Sequence, residues 1–200
     1  MANEVTIQPK STALLVMDYQ TGVISDPSRK AALQKAVLAT KVARAAGIPI
    51  IYGVIRFDEG YPVTPARNWS FTSFQGGGKM RRGGADAEIH PDIAPQKGDV
   101  VIERKRSCIF TATDLDLVLR AKNIDTIALF GISTSGQVLS AVRVAVDLDY
   151  RLFVLSDCCA DRDEEVNRVL MTKVLPMHSK VISAEAFIEA LRSHLEAADR

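Results

Sequence analysis

Length, composition and charge exclude several classes of protein. The chain has 200 residues, 47% hydrophobic and 24% charged, with 12 Gly, 8 Pro and 3 Cys. That length suits one folded domain over residues 1–200, and that composition excludes a disordered, collagen-like or disulfide-dense chain. The net charge is +1, and no apolar run approaches the ~20 residues of a membrane helix, so we expect no nucleic-acid partner and no membrane contact.

Short apolar runs alternate with helical patterns along the chain. Runs of Val, Ile and Leu without polar alternation are typical of strands buried on both faces of a parallel sheet. We predict strands over 12–17, 48–55, 100–102, 126–130 and 152–155. Helices are predicted over 28–46, 114–122, 136–147, 164–174 and 184–197, with Gly47 ending the first and Asn123 capping the second. This alternation predicts a three-layer α/β domain with right-handed crossovers.

A long connection, 56–98, interrupts the alternation. It holds the only Trp, Trp69, and a glycine-rich stretch at 76–84. This stretch is not a phosphate-binding loop, which needs Gly six residues before its Lys and Ser or Thr after it; Lys79 has Ser73 and Met80 there. We expect a flexible surface loop over the glycines, between flanks whose aromatic side chains pack.

Cysteine and histidine usage argues for a reducing compartment and against metals. Cys158 and Cys159 are adjacent, a poor geometry for a mutual disulfide, and Cys108 makes the number odd. Residues 1–10 lack the charged start and apolar stretch of a secretory signal, so we expect a cytoplasmic protein. The histidines are far apart and no Cys or His pair has zinc-ligand spacing, so we predict no metal and no cofactor.

Polar residues follow three of the predicted strands. Asp18 ends the first, Arg104 and Lys105 follow the third, and the small-residue turn 131–137 follows the fourth. Ligands bind at the carboxyl ends of parallel strands, so a carboxylate, a cation and a helix N-terminus offering N–H groups to an anion could meet there. Each feature taken singly also has a structural interpretation, as a capping aspartate, a solvated basic strand end or an ordinary capped helix.

Several short motifs occur in order between Ser11 and about Leu191. They are ALLVMDYQ at 13–20, RN at 67–68, HP at 90–91, Phe110 with TDL at 113–115, GISTSG at 131–136 and SDCCAD at 156–161. In this ordered set the chain resembles the isochorismatase-like, or cysteine hydrolase, superfamily. The resemblance implies a three-layer α/β/α sandwich around a six-stranded, mostly parallel sheet, a small-molecule substrate and assembly into homo-oligomers. It also implies a site of Asp, Lys and Cys that hydrolyses amides or vinyl ethers.

Carried over residue by residue, the resemblance implies departures at two of the three catalytic positions. Asp18 matches the proton carrier, Arg104 stands at the Lys position and Gln137 at that of the nucleophilic Cys. A Gln amide cannot attack a carbonyl, and Arg stabilises an anion without exchanging protons. Lys105 would point to the opposite face if Arg104 lies on a strand. Substrate-binding or oxyanion roles are implied for Gln20, Ile132, Ser133, Thr134 and Gly136.

These departures leave three functions open. The first is a hydrolase of an unknown small substrate, in which Asp18 supplies acid–base chemistry without a thiol. The second is a non-catalytic relative that binds a small ligand or forms oligomers, to which the neutral Gln137 is suited. The third is a thiol amidase that uses Cys108; otherwise we expect all three cysteines to be core or structural residues.

Overall fold

Six strands form one sheet: β1 Thr12–Met17, β2 Ile50–Ile55, β3 Val100–Arg104, β4 Thr126–Gly131, β5 Arg151–Leu155 and β6 Lys180–Ile182. The computed structural model describes residues 5–198. The strands lie in the order β3–β2–β1–β4–β5–β6, and every neighbouring pair is parallel. β1, β2 and β4 are buried along their whole length, as expected for strands covered on both faces.

The helices that cover the sheet bury stripes of small and apolar residues. In α2 the fully buried residues Ala36, Ala39 and Ala43 recur every three or four positions, so this face can pack closely against α7. No helix of the described residues is long and apolar enough to cross a membrane. The helices are α1 Thr21–Ile24, α2 Lys30–Ala45, α3 Trp69–Gly76, α4 Leu115–Ala121, α5 Leu139–Asp147, α6 Glu164–Val169 and α7 Ala184–Ala198.

The predicted three-layer α/β/α architecture is confirmed, including the six-stranded parallel sheet. The predicted end of the first long helix is also found, because Gly47 takes the left-handed conformation (φ +75°) directly after α2. Asn123, the predicted cap of the next long helix, has φ +54° just beyond α4.

Three elements were not predicted from the residue pattern, and two predicted helices differ at one end. The short strand β6 and the helices α1 and α3 were not predicted. For β6 the reason is that it has only three residues, all of them partly or fully exposed. Two predicted helices have a wide π-helical turn at one end, Thr134–Val138 leading into α5 and Leu170–Val174 following α6. Apolar periodicity does not distinguish such a turn from regular helix.

The connection between β2 and β3 forms a second, smaller core. Phe57 and Tyr61 contact each other with 5.1 Å between ring centres and their planes tilted by 39°, and Phe71 packs edge-on against Phe57. The flanks therefore pack as predicted, except at Trp69, whose side chain is 83% exposed and lies outside this cluster. The glycine-rich stretch differs from the expected surface loop at Met80, which is buried in this cluster and whose N–H donates to the Asp86 carboxylate at 2.7 Å.

Candidate functional site

Asp18 lies where β1 ends at the carboxyl edge of the sheet. Its backbone adopts a left-handed conformation (φ +58°), which Asp tolerates better than most residues, and its N–H donates to the Gly53 carbonyl of β2 at 2.8 Å. The residue is 3% exposed. This tight turn directs a carboxyl group into the protein instead of into solvent.

Arg104, the last residue of β3, reaches Asp18 across the end of the intervening strand β2. Its Nε donates to Asp18 Oδ1 at 3.3 Å and its Nη2 donates to Oδ2, while Nη1 donates to the Arg106 carbonyl at 2.5 Å. The guanidinium is 5% exposed. Asp18 and Arg104 therefore form a bidentate ion pair that is almost completely removed from water.

Gln137 completes this cluster from the π-helical turn after β4. Its amide, oriented by its hydrogen-bond partners, accepts from Arg104 Nε at 3.1 Å and donates to the Ser107 carbonyl. The residue is 2% exposed. The three residues predicted as catalytic, Asp18, Arg104 and Gln137, are thus brought together.

The charge state of Asp18 reflects two opposing influences. Burial raises the pKa of Asp18 above its ordinary value, and the charge and hydrogen bonds of Arg104 oppose that rise. A carboxyl group under such opposing influences can hold or release a proton as its surroundings change, which suits an acid–base residue.

Lys105 takes no part in this cluster. Its ammonium group donates to the Arg56 carbonyl and lies 3.9 Å from Glu103. This matches the expectation that consecutive residues at the end of a strand point to opposite faces.

The turn after β4 differs from the expected anion cradle. The N–H of Thr134 donates to the Ala160 carbonyl at 3.0 Å, and that of Ser135 to the Asp161 carboxylate at 2.6 Å. The N–H of Gly136 donates to Ser133 Oγ at 3.2 Å. Three N–H groups expected to face an anion therefore already have partners within the chain.

Two more residues of the implied binding set make contacts within the protein. Ile132, whose peptide bond to Ser133 is cis, pairs with Ala160 in an isolated bridge. The Gln20 amide nitrogen donates to the carbonyls of Ile55 and Ala87, and its oxygen accepts from the Ile55 N–H. Gln20 thus ties the end of β2 to the connection that follows it.

The cysteines lie in the core. Burial raises the pKa of the Cys159 thiol to about 12 and that of Cys158 well above its usual value. Cys108 is also buried, and its Sγ donates to the Ser140 carbonyl at 3.4 Å. Within residues 5–198, no cluster of three or more His, Cys, Asp or Glu side chains is arranged to hold a metal ion.

Four groups that shape the site did not come from sequence reasoning. The carbonyls of Arg106 and Ser107 hold Arg104 and Gln137, but no side-chain pattern signals a backbone acceptor. Asp161 and Asn167 fix the turn, the latter by accepting from Thr134 Oγ1 at 2.6 Å. The only sequence feature that pointed to Asp161 is its position at the end of the SDCCAD motif.

Comparison with known proteins gives consistent matches over nearly the whole chain. The family model described as "Isochorismatase domain" matches residues 12–186. The uncharacterized isochorismatase family protein YwoC of Bacillus subtilis is 30% identical over 96% of this chain and 100% of its own length. Maleamate amidohydrolase of Pseudomonas putida is 26% identical over 92% of this chain and 88% of its own. The crystal structure of a cysteine hydrolase from Pseudomonas syringae pv. phaseolicola superposes with a TM-score of 0.88 at 25% identity, over 97% of this chain and all of the other.

Proposed function

The chain belongs to the isochorismatase family, and from that membership we propose that it hydrolyses a small amide or vinyl ether with Asp18 as acid and base. The observation that carries the proposal is the buried Asp18 carboxyl group, held by the Arg104 guanidinium, at the carboxyl edge of a parallel sheet. A relative named as a maleamate amidohydrolase supports a small amide that also carries a carboxylate.

The proposed route forms no covalent intermediate with the protein. The position that the family resemblance assigns to a nucleophile holds Gln137, whose amide is not nucleophilic and is engaged with Arg104 and the Ser107 carbonyl. The buried Cys158 and Cys159 have raised pKa values and are protonated at neutral pH. Cys108 is also buried, with its Sγ donating to the Ser140 carbonyl, so water is the attacking group in this proposal.

For an amide, Asp18 acts first as base and then as acid. The carboxylate accepts a proton from water as the water oxygen bonds to the carbonyl carbon, and Arg104 stabilises the resulting oxyanion. The tetrahedral adduct then collapses, the C–N bond breaks, and Asp18 returns the proton to the departing nitrogen. For a vinyl ether, protonated Asp18 delivers its proton to the enol carbon. Water then adds to the resulting cation and gives up a proton to the Asp18 carboxylate, and the hemiketal splits into a ketone and an alcohol.

A second candidate function is binding without turnover. The observation that favours it is the mutual satisfaction of Asp18, Arg104 and Gln137, which are 3%, 5% and 2% exposed and bond to one another. A substrate would have to displace part of this network to reach the carboxyl group. In this alternative the network maintains the shape of a site that holds a small carboxylate or amide.

Turnover of maleamate and isochorismate by the wild type and by Asp18→Asn tests the proposal. We expect the wild type to hydrolyse at least one of them and Asp18→Asn to be slower by 10² or more, since acid–base catalysis contributes about 10²–10⁴-fold. The matched control is Asp114→Asn, which removes an exposed carboxylate at the start of α4 and should leave the rate unchanged.

Two outcomes would contradict the acid–base role. Equal rates in the wild type and Asp18→Asn would exclude Asp18 as the proton carrier. No turnover across amides and vinyl ethers, together with a rise in melting temperature on adding a small carboxylate or amide, would support the binding function instead.

A further inference from the structure

A cavity of about 530 Å³ opens at the edge of the sheet opposite Asp18. The first residues of three strands line it, Thr126 of β4, Arg151 of β5 and Lys180 of β6. β4 runs from Thr126 to Gly131, so about 17 Å of strand separates this cavity from the turn that carries Gln137. The cavity is therefore distinct from the candidate active site.

The charges around this cavity are positive. The charged side chains in its walls are those of Arg151 and Lys180, with no Asp or Glu side chain of the described residues among them. Arg151 pairs with Asp125 in an exposed ion pair. Lys180, by contrast, makes no ion pair with any side chain that the structure describes, and its ammonium group lies over the Phe153 ring, open to an anion.

His178 adds to this positive character through its neighbour. Its Nε2 lies 2.7 Å from Nη1 of Arg143, and because a guanidinium only donates, that ring nitrogen is the acceptor. The Arg143 guanidinium, which is not itself part of the cavity wall, therefore lies directly next to His178.

Part of the remaining wall is apolar, beside uncharged polar residues such as Gln8 and Ser179. Leu152, Phe153 and Pro176 line the cavity, and Lys180 Nζ lies 6.0 Å from the centre of the Phe153 ring. The volume falls within the range of about 300–1,000 Å³ that small-molecule pockets occupy. An apolar wall beside an unpaired cation matches a molecule with an apolar body and one negative group.

We infer that this cavity binds a small organic carboxylate, with its carboxylate at Lys180 and its apolar body against Phe153 and Pro176. The inference does not depend on the proposed hydrolysis. It assigns a second small-molecule site to the opposite edge of the sheet.

Calorimetric titration of the 200-residue chain with benzoate tests the inference. We expect saturable binding that weakens at least tenfold in Lys180→Gln, because the variant keeps the cavity but loses its unpaired charge. Lys97→Gln, which removes an exposed lysine from a distant loop, should bind as the wild type does. Benzamide, equal in size but uncharged, should bind the wild type at least tenfold more weakly than benzoate.

Chemical-shift mapping on ¹⁵N-labelled protein locates the same ligand. Benzoate should shift the amide signals of residues 151–153 and 178–180. Shifts centred on Asp18 and 131–137 would overturn the inference, as would equal binding of benzoate by the wild type and Lys180→Gln. Inorganic phosphate that binds as tightly as benzoate would also overturn it, because the apolar wall would then contribute nothing.

Discussion

Arginine at position 104 forms contacts that the single ammonium group of a lysine cannot reproduce. Its planar guanidinium engages both carboxylate oxygens of Asp18 and has a further N–H for the Arg106 carbonyl. Gln137 accepts from Nε, so every guanidinium nitrogen has a partner inside the protein. The pair is thus part of what stabilises the fold as well as part of the candidate site.

Arg104→Gln should destabilise the fold by about 3–5 kcal/mol, because it leaves the Asp18 carboxyl group buried without its cation. Urea unfolding followed by circular dichroism measures the change. Arg120→Gln is the matched control, since Arg120 pairs with Asp116 at 2.9 Å on the surface of α4 and such helical pairs contribute about 0.3–0.5 kcal/mol. Similar losses of stability in both variants would mean that the buried pair contributes no more to folding than the exposed one.

The loss of stability caused by Arg104→Gln should also become smaller as the pH falls. Burial already raises the pKa of Asp18 and Arg104 opposes that rise, so removing Arg104 raises the pKa further. A group whose pKa is higher in the folded than in the unfolded protein stabilises the fold fully at pH values below its unfolded-state pKa. That stabilisation is lost as the pH rises through its folded-state pKa. The stability curves of wild type and variant should therefore converge on acidification, and parallel curves between about pH 7 and pH 4 would contradict this.

The sequence predicted which side chains of the site meet but not how they are held. Asp18 and Arg104 end parallel strands, and Gln137 follows a third, so the topology alone places them at one edge. Their remaining partners are the carbonyls of Arg106 and Ser107. Those depend on the path of an irregular segment, which no periodicity in the sequence specifies.

At the scale of elements, the register of β1 against β4 sets the geometry of the site edge. Met17 pairs with Gly131, directly before Asp18 on one strand and before the turn carrying Gln137 on the other. A Cβ added at Gly131 would lie 2.8 Å from Met17 Cβ and 3.0 Å from the Met17 carbonyl oxygen. Glycine is therefore required here by close approach of the two strands.

Gly131→Ala should destabilise the protein by about 1–3 kcal/mol, because the added methyl group forces β1 and β4 apart. Gly76→Ala is the control, since a Cβ at that last residue of α3 meets nothing within 4 Å and the φ angle is not positive. It should change stability by less than about 0.5 kcal/mol. Thermal and urea unfolding of the two variants measure the difference, and a neutral Gly131→Ala would mean that the strands can separate without cost.

Elements with strong apolar patterns were predictable, and those defined by local backbone geometry were not. β1, β2 and β4 are continuous buried runs, so their type and neighbours follow from composition. The π-helical turn Thr134–Val138 looks like ordinary helix in sequence, yet it decides which way Gln137 points. Its N–H groups bond to Ala160 and Asp161, contacts between segments far apart in the chain.

At the scale of the whole molecule, one hydrophobic cluster joins the sheet to the helices on it. Cys158 and Cys159 belong to this cluster, in a turn that packs against α2 and α7. Tyr19, next to Asp18, donates its hydroxyl to the Cys158 carbonyl at 2.6 Å and connects the ends of β1 and β5. The thiols therefore report on the same core that supports the site.

Native Cys158 and Cys159 should resist iodoacetamide at neutral pH and become reactive only when the whole domain unfolds. Burial blocks access and raises the pKa of Cys159 to about 12, so both the reagent and the thiolate are lacking in the native state. If residues 1–200 fold as one cooperative domain, the urea midpoint for labelling of these thiols, mapped by mass spectrometry, should coincide with that of circular dichroism. The urea midpoint for labelling of Cys108, measured in the same digest, shows whether its segment opens before the rest of the domain unfolds. Labelling of Cys158 or Cys159 at urea concentrations well below the circular dichroism midpoint would mean that the turn opens on its own, because local opening exposes a thiol without loss of the remaining helices and strands.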